Sequence, residues 1–211
     1  MFNEEGEPNI TTVDISAEMD ISPGNLYYHF KGKEAIIEQL YNTMEQEFST
    51  ILNAPFQENV DIENTWLYLY VVFEQIHKYR FFYRNMADIL GRYPSINKRF
   101  AKLIKKKRET AFATLTLLES ENIIYFGDED LKESNLNNLS DNMTLLLTYW
   151  LQYTTLEHRG SNNTVIAIHR GVFQLMSMLA PYLKDEYRDF YRECKLLFEA
   201  ISADFEWAYS G

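Results

Sequence analysis

Residues 14–33 read DISAEMDISPGNLYYHFKGK, and the other 191 of the 211 residues are organised around them. Thr12, just ahead, is read as the N-cap of a short helix, and Ile15 with Met19, four apart, as its apolar face. That helix stops near Asp20, and Ile21 plugs the turn. Ser22 then caps a second short helix with Pro23 in its first turn. Gly24 leaves the backbone bare there, so another surface can approach closely. Leu26 and Phe30, again four apart, point inward. Asn25, Tyr27, Tyr28 and His29 are left outward, Gly32 breaks the helix, and Lys33 opens the next.

Two short helices, a tight turn, and a second helix presenting polar and aromatic side chains make a helix-turn-helix layout. On spacing alone, a DNA-reading unit and an ordinary helical hairpin both fit. Composition limits the first option. The chain carries a net charge of −11, so any nucleic-acid contact is confined to a local surface.

The run Thr11-Thr12 … Ile21-Ser22-Pro23-Gly24-Asn25-Leu26-Tyr27-Tyr28-His29-Phe30-Lys31-Gly32-Lys33-Glu34 resembles the tetracycline-repressor (TetR) family of transcriptional regulators. The likeness covers roughly the first fifty residues. It implies an all-α fold: an N-terminal helix-turn-helix head over residues 1–52, and a larger helical body for ligand sensing and dimerisation over 53–211. It also assigns roles. Thr12 caps the first motif helix and touches phosphate. Ser22 and Gly24 lie at the start of the recognition helix against DNA. Asn25 reaches base edges, where an amide pairs with adenine. Tyr27 and Tyr28 meet thymine methyls, sugars or phosphates. His29 and Lys33 hold phosphates, Lys33 helped by its helix N-terminus.

Two departures qualify that picture. The family has a full helix before the motif, often basic; here only its last turn is expected, around Met1 to Glu5. A preceding segment is therefore expected to be missing from this sequence, and the head to be mobile or weakened without it. The head is also acidic. Through Thr50, two lysines face ten Asp and Glu residues, and two minus ten gives −8. Because phosphate neutralisation drives affinity, DNA binding by this chain is expected to be weak. A helical ligand-binding or protein-interaction module that has lost DNA binding is the alternative reading.

Beyond the head, apolar residues recur at helical spacing. Ile36, Ile37, Leu40, Met44, Phe48 and Leu52 mark a helix joining head to body, and a loop with Pro55 follows. Asp61 to Tyr83 reads as one long helix. A short helix spans Asn85 to Leu90, and another long one runs from Pro94 to about Asn122. Its middle holds seven basic residues between Lys98 and Arg108, Lys107 among them. They are read first as a solvated face; a nucleic-acid patch and an anionic-ligand contact stay open. Glu119 to Asn138 reads as a loop, without the spacing of a calcium loop. Helices follow over Leu139–Arg159, Thr164–Leu183 and Asp185–Tyr209.

The four histidines are scattered, and no metal-binding or nucleophile motif occurs. One cysteine, Cys194, excludes an internal disulfide and a cysteine-based zinc site. We expect no catalytic residue, metal or cofactor, and hence no enzyme. No apolar run is long enough to span a membrane, and a cytoplasmic protein is expected. Aromatic residues make up 15% of the chain, most of them core and some lining a pocket for a small apolar or aromatic effector. The pocket candidates are Trp66, Tyr70, Phe73, His77, Met86, Tyr149, Trp150, Tyr153 and Phe173. His169 is read as a satisfied core or interface histidine. The expected partners are double-stranded operator DNA, a small-molecule effector and a second copy in a homodimer.

Overall fold

A computed structural model describes residues 1–53, 60–127, 129–157 and 164–209. Among them eleven α-helices are formed: α1 Phe2–Glu5, α2 Thr12–Glu18, α3 Pro23–His29, α4 Lys33–Asn53, α5 Ile62–Lys78, α6 Arg80–Arg84, α7 Met86–Arg92, α8 Pro94–Ser120, α9 Glu129–Glu157, α10 Thr164–Leu179 and α11 Arg188–Tyr209. Pro55 and His158 lie outside the described residues.

Two apolar clusters organise them. A small one holds Ile10, Ile15, Leu26 and Ile36, with Ile21 and Phe30 at its edge. The large one draws on every helix from α4 to α10. Helix α4 serves both: Ile36 packs in the head, while Ile37, Tyr41, Met44, Phe48 and Leu52 continue along the apolar face into the body. Helix α4 is thus shared between the two apolar clusters.

Several boundaries differ from the sequence reading. The α2 cap is Thr11, not Thr12: its hydroxyl accepts from the Asp14 amide at 3.2 Å while the Asp14 carboxylate accepts from the Thr11 amide at 2.8 Å. This reciprocal pair is a capping box, and Thr12 is the first helical residue. Met19 is exposed rather than on the apolar face, because α2 ends before it and Asp20 turns the chain with a left-handed φ of 51°.

The long helix read over Asp61 to Tyr83 breaks at Tyr79. The N-terminal turn fills the break. Asn3 Nδ2 donates to the Lys78 carbonyl at 2.9 Å, Asn3 Oδ1 accepts from the Phe81 amide at 3.0 Å, and the Phe2 ring sits 5.7 Å from that of Phe81. The loop read over Glu119 to Asn138 is mostly helix. The α8–α9 connection ends by Glu129, and Leu136, Leu139 and Met143 bury one face of α9. That connection is pinned to the turn after α10, where the Tyr125 amide donates to the Tyr182 carbonyl at 2.8 Å.

Helices α5, α9 and α10 meet at Gly171. A Cβ there would come within 2.6 Å of Phe73 Cζ and 2.8 Å of the Trp150 indole nitrogen. Both side chains are buried, so neither yields without disturbing the core. Gly171→Ala gains about 1 kcal/mol of helix propensity but overpacks by more than that. The expected net loss is about 2 kcal/mol, read as a fall of roughly 4–8 °C in melting temperature.

Candidate nucleic-acid interface and sensor core

The head presents α3. The Ser22 hydroxyl accepts from the Asn25 amide at 3.1 Å and Pro23 occupies the first turn, so the helix starts where the sequence places it. Leu26 anchors it in the small core, which fixes which face looks outward. Ser22, Gly24, Asn25, Tyr27, Tyr28 and His29 are all exposed, with Tyr27 at 60% and Tyr28 at 76%. Large apolar surface left in water without a core role marks a contact face. Tyr28 and His29 rings stand edge to face at 5.2 Å. Gly32, with φ of 115°, makes the turn into α4 that an L side chain disfavours.

Lys31 was missing from the sequence-based set. It lies exposed just past the end of α3, its ammonium 4.6 Å from the Tyr27 ring centroid, and brings a cation beside that face. Lys33 is placed differently from the reading of a free phosphate holder. Its ammonium is 3.0 Å from the Glu7 carboxylate and donates to the Glu7 carbonyl at 2.5 Å. Glu7 is fully buried, and it also binds Arg92 at the end of α7 and accepts from the Tyr93 hydroxyl at 3.2 Å. One carboxylate thus joins the start of α4 to the body.

Further along α4, carboxylates continue the junction. Arg99 of α8 reaches Glu45 at 2.5 Å and Glu38 at 3.4 Å, with its guanidinium 4.8 Å from the Tyr41 ring. Glu47 accepts from Gln75 at 2.6 Å and from Lys78 at 2.7 Å, and those hydrogen bonds hold its carboxyl below the usual range. Much of the head's acidity is therefore spent on body cations rather than aimed at α3.

In the body, three of the nine pocket candidates, Tyr70, Phe73 and Trp150, meet α10, and Trp66 lies beside Tyr70 with its ring 6.2 Å from that of Phe190 on α11. The Tyr70 hydroxyl pairs with His169 Nδ1, Trp66 lies 5.4 Å from Tyr70, Trp150 Nε1 donates to the Ala167 carbonyl at 2.7 Å, and Phe73 abuts Gly171. Phe173 instead stacks on α11, 5.9 Å from Tyr191 and 4.6 Å from Phe198. His77 and Met86 are buried, but His77 faces Arg80 and Arg84 on the α6 side; burial first, then those charges, pushes its imidazole down to about 4. Tyr149 and Tyr153 look outward, 45% and 53% exposed, so they do not line an interior pocket of this chain. The reason is phase: with Leu145 and Leu156 they form the stripe of α9 opposite to the face buried by Leu147, Trp150 and Leu151.

The basic run on α8 is not one solvated face. Lys107 is 1% exposed, with its ammonium 2.9 Å from the Tyr83 hydroxyl and 4.9 Å from the ring centroids of Phe48 and Tyr83. Burial pushes it down to about 7. Among the described residues no group of three or more His, Cys, Asp or Glu side chains gathers as a metal site, and no helix is long and apolar enough to cross a membrane.

Two family models match the chain. One, described as bacterial regulatory proteins of the tetR family, matches residues 1–40; the other, described as a bacterial transcriptional repressor, matches residues 43–191. Among solved structures, a TetR-family transcriptional regulator from Marinobacter aquaeolei VT8 is 30% identical, with 94% of this chain and 92% of that one covered and a TM-score of 0.79. The fatty acid degradation regulator FadR from Bacillus halodurans is 14% identical over 85% of this chain and 88% of that one, TM-score 0.56. The SmeT–triclosan complex is 15% identical over 87% of each, TM-score 0.54. The last two share the fold alone. No curated protein matches.

Proposed function

The chain belongs to the TetR family of bacterial transcriptional regulators, and from that premise we propose that it is a cytoplasmic homodimer that reads a near-palindromic operator and releases it when a small apolar or aromatic effector enters the body. The observation that carries this reading is the outward face of α3: Asn25, Tyr27 and Tyr28 exposed on a helix whose start and depth are fixed by Ser22 and Leu26. Residues 1–52 act as the reading head and 53–211 as the sensor and dimerisation body. Ligand in the body favours a head separation that no longer fits successive major grooves, so affinity falls by population shift.

A gel mobility shift against the region upstream of the chain's own gene tests it. At low salt the protein is expected to retard that fragment, and Asn25→Ala to weaken binding by roughly 5- to 150-fold, the range of one lost base contact. Retardation of no DNA at low salt would sink the reading.

Dimerisation is supported by the α9 stripe Leu145, Tyr149, Tyr153 and Leu156, exposed at helical spacing. A contiguous apolar face of this kind is costly in water and suits a two-fold contact. The double variant Leu145→Glu, Tyr149→Glu is expected to sediment as a monomer and to lose operator binding with it.

A further inference from the structure

Lys107 stands where three helices meet. It belongs to α8, its ammonium lies 4.9 Å from the ring centroids of Phe48 on α4 and Tyr83 on α6, and it donates to the Tyr83 hydroxyl at 2.9 Å. The side chain is 1% exposed. An ammonium has three donors, and one hydroxyl and two ring faces replace only part of the hydration it gave up. The carboxylates of the helices around it are held by other groups. On α4, Glu38 and Glu45 hold Arg99, and Glu47 holds Gln75 and Lys78. On α9, Asp141 holds Arg108; on α7, Asp88 holds Arg92; on α8 itself, Glu109 pairs with Lys105. On α6, Arg80 and Arg84 act on His77, and the Tyr83 hydroxyl is the lysine's own partner, with Tyr41 of α4 acting on Tyr83. Burial alone acts on the lysine and brings its titration to about 7.

The lysine also lies in the seam that seats α4. From the head outward, α8 meets α4 at Arg99 on Glu38 and Glu45, at Lys107 on Phe48, and at the Thr110 hydroxyl, which donates to the Leu52 carbonyl at 3.1 Å. The same α4 begins at Lys33, directly after α3 and the Gly32 turn. We propose that Lys107 is a proton-operated latch in this seam: neutral, it packs as an apolar side chain and keeps α4 seated on α8; protonated, it favours an arrangement that lets water reach the ammonium, α4 loosens, and operator affinity falls. The proton is exchanged with solvent. A lysine stripped of hydration in the seated arrangement binds its proton more weakly there than in the loosened one. Acid therefore favours the loosened arrangement and alkali the seated one. The link to DNA rests on the reading of α3 as the operator-reading helix; the latch on α4 does not.

The test compares the full chain with Lys107→Met at about pH 6.5 and 8 and one ionic strength. In mobility shifts on the upstream fragment, parent affinity is expected to rise about 3-fold or more from the lower pH to the higher. The variant cannot titrate at that position and should lose the rise. The sign separates the latch from the DNA face: His29, exposed on α3, gains charge towards acid and so strengthens phosphate binding there. Hydrogen exchange without DNA, corrected for its intrinsic pH dependence, reads the seam directly. Residues 44–52 of α4 should gain about 3-fold or more protection at the higher pH relative to α10 in the parent, and none in the variant. The comparison with α10 removes any change in global stability. Where DNA is bound, a parent affinity that stays flat or falls, or a rise kept by Lys107→Met, overturns the proposal. So does α4 protection that moves only in step with α10. Loss of DNA binding at both pH values with α4 protection still responding to pH removes the repressor and keeps the latch; DNA binding with neither response does the reverse.

Discussion

Lys107→Met is expected to unfold at higher denaturant than the parent, more stable by about 3 kcal/mol at pH 7. The parent brings into its core a lysine titrating at about 7, against about 10.4 in the unfolded chain. At pH 7 that difference costs roughly 4 kcal/mol. Methionine removes the cost, fills similar volume, and forfeits about 1 kcal/mol through the Tyr83 hydroxyl left unpartnered. The sign with pH is fixed. A lysine depressed in the fold binds fewer protons there than in the unfolded chain between about pH 7 and 10.4. Parent stability therefore rises with pH across that window, and below it the penalty is paid in full. The advantage of the methionine variant should shrink as pH climbs towards 10. Urea titrations of both proteins at pH 7 and 9.5 decide it; a less stable variant, or one with the parent's pH slope, contradicts the account.

A protein that keeps so expensive a side chain in its interior obtains no stability from it. Natural sequences break local rules at functional positions and compensate elsewhere. The compensation is visible around Lys107: Phe48, Tyr83 and Phe100 are almost fully buried, and the α8–α9 hairpin is pinned on its outer side by Arg108 to Asp141 at 2.5 Å.

The helix-turn-helix was legible because its signals are local. Ser22, Pro23 and Gly32 each act within a few residues of where they stand. At the α2 cap the threonine pair alone does not distinguish Thr11 from Thr12, whereas the carboxylate of Asp14, three residues on, selects Thr11. Lys107 was also within reach. Leu103, Lys107, Ala111 and Leu115 recur at four-residue steps, and all four are buried, but a run of seven basic residues hid one member's phase. The break at Tyr79 has no such signal. No proline or glycine marks it, and it exists because Asn3, 75 residues upstream, binds the freed backbone groups. The meeting of Phe73, Trp150 and Gly171 is likewise a product of three helices packing, which no periodicity within one helix encodes.

The second large effect is expected at Glu7. Glu7→Gln keeps the shape and removes the charge that Lys33 and Arg92 share. Breaking a buried pair from one side costs about 3–5 kcal/mol when the stranded charge stays buried. Here both cations are partly exposed, 23% for Lys33 and 41% for Arg92, so each regains water and the expected loss is nearer 2 kcal/mol. The larger consequence is functional. Lys33 follows α3 directly, and in the parent a DNA phosphate must compete with Glu7 for it. Without the carboxylate, Lys33 is free for phosphate and one negative charge leaves the head. Operator affinity should rise by about 10-fold at low salt, and the dependence of log affinity on log salt should steepen by about 1 per protomer, the signature of one more neutralised phosphate. The same carboxylate ties α4 to Arg92 and Tyr93 of the body, so the variant should also release DNA less completely when effector is added. Tighter binding together with weaker release identifies Glu7 as the tie between reading and sensing. Weaker DNA binding at unchanged salt slope would show instead that Glu7 only holds the head in shape.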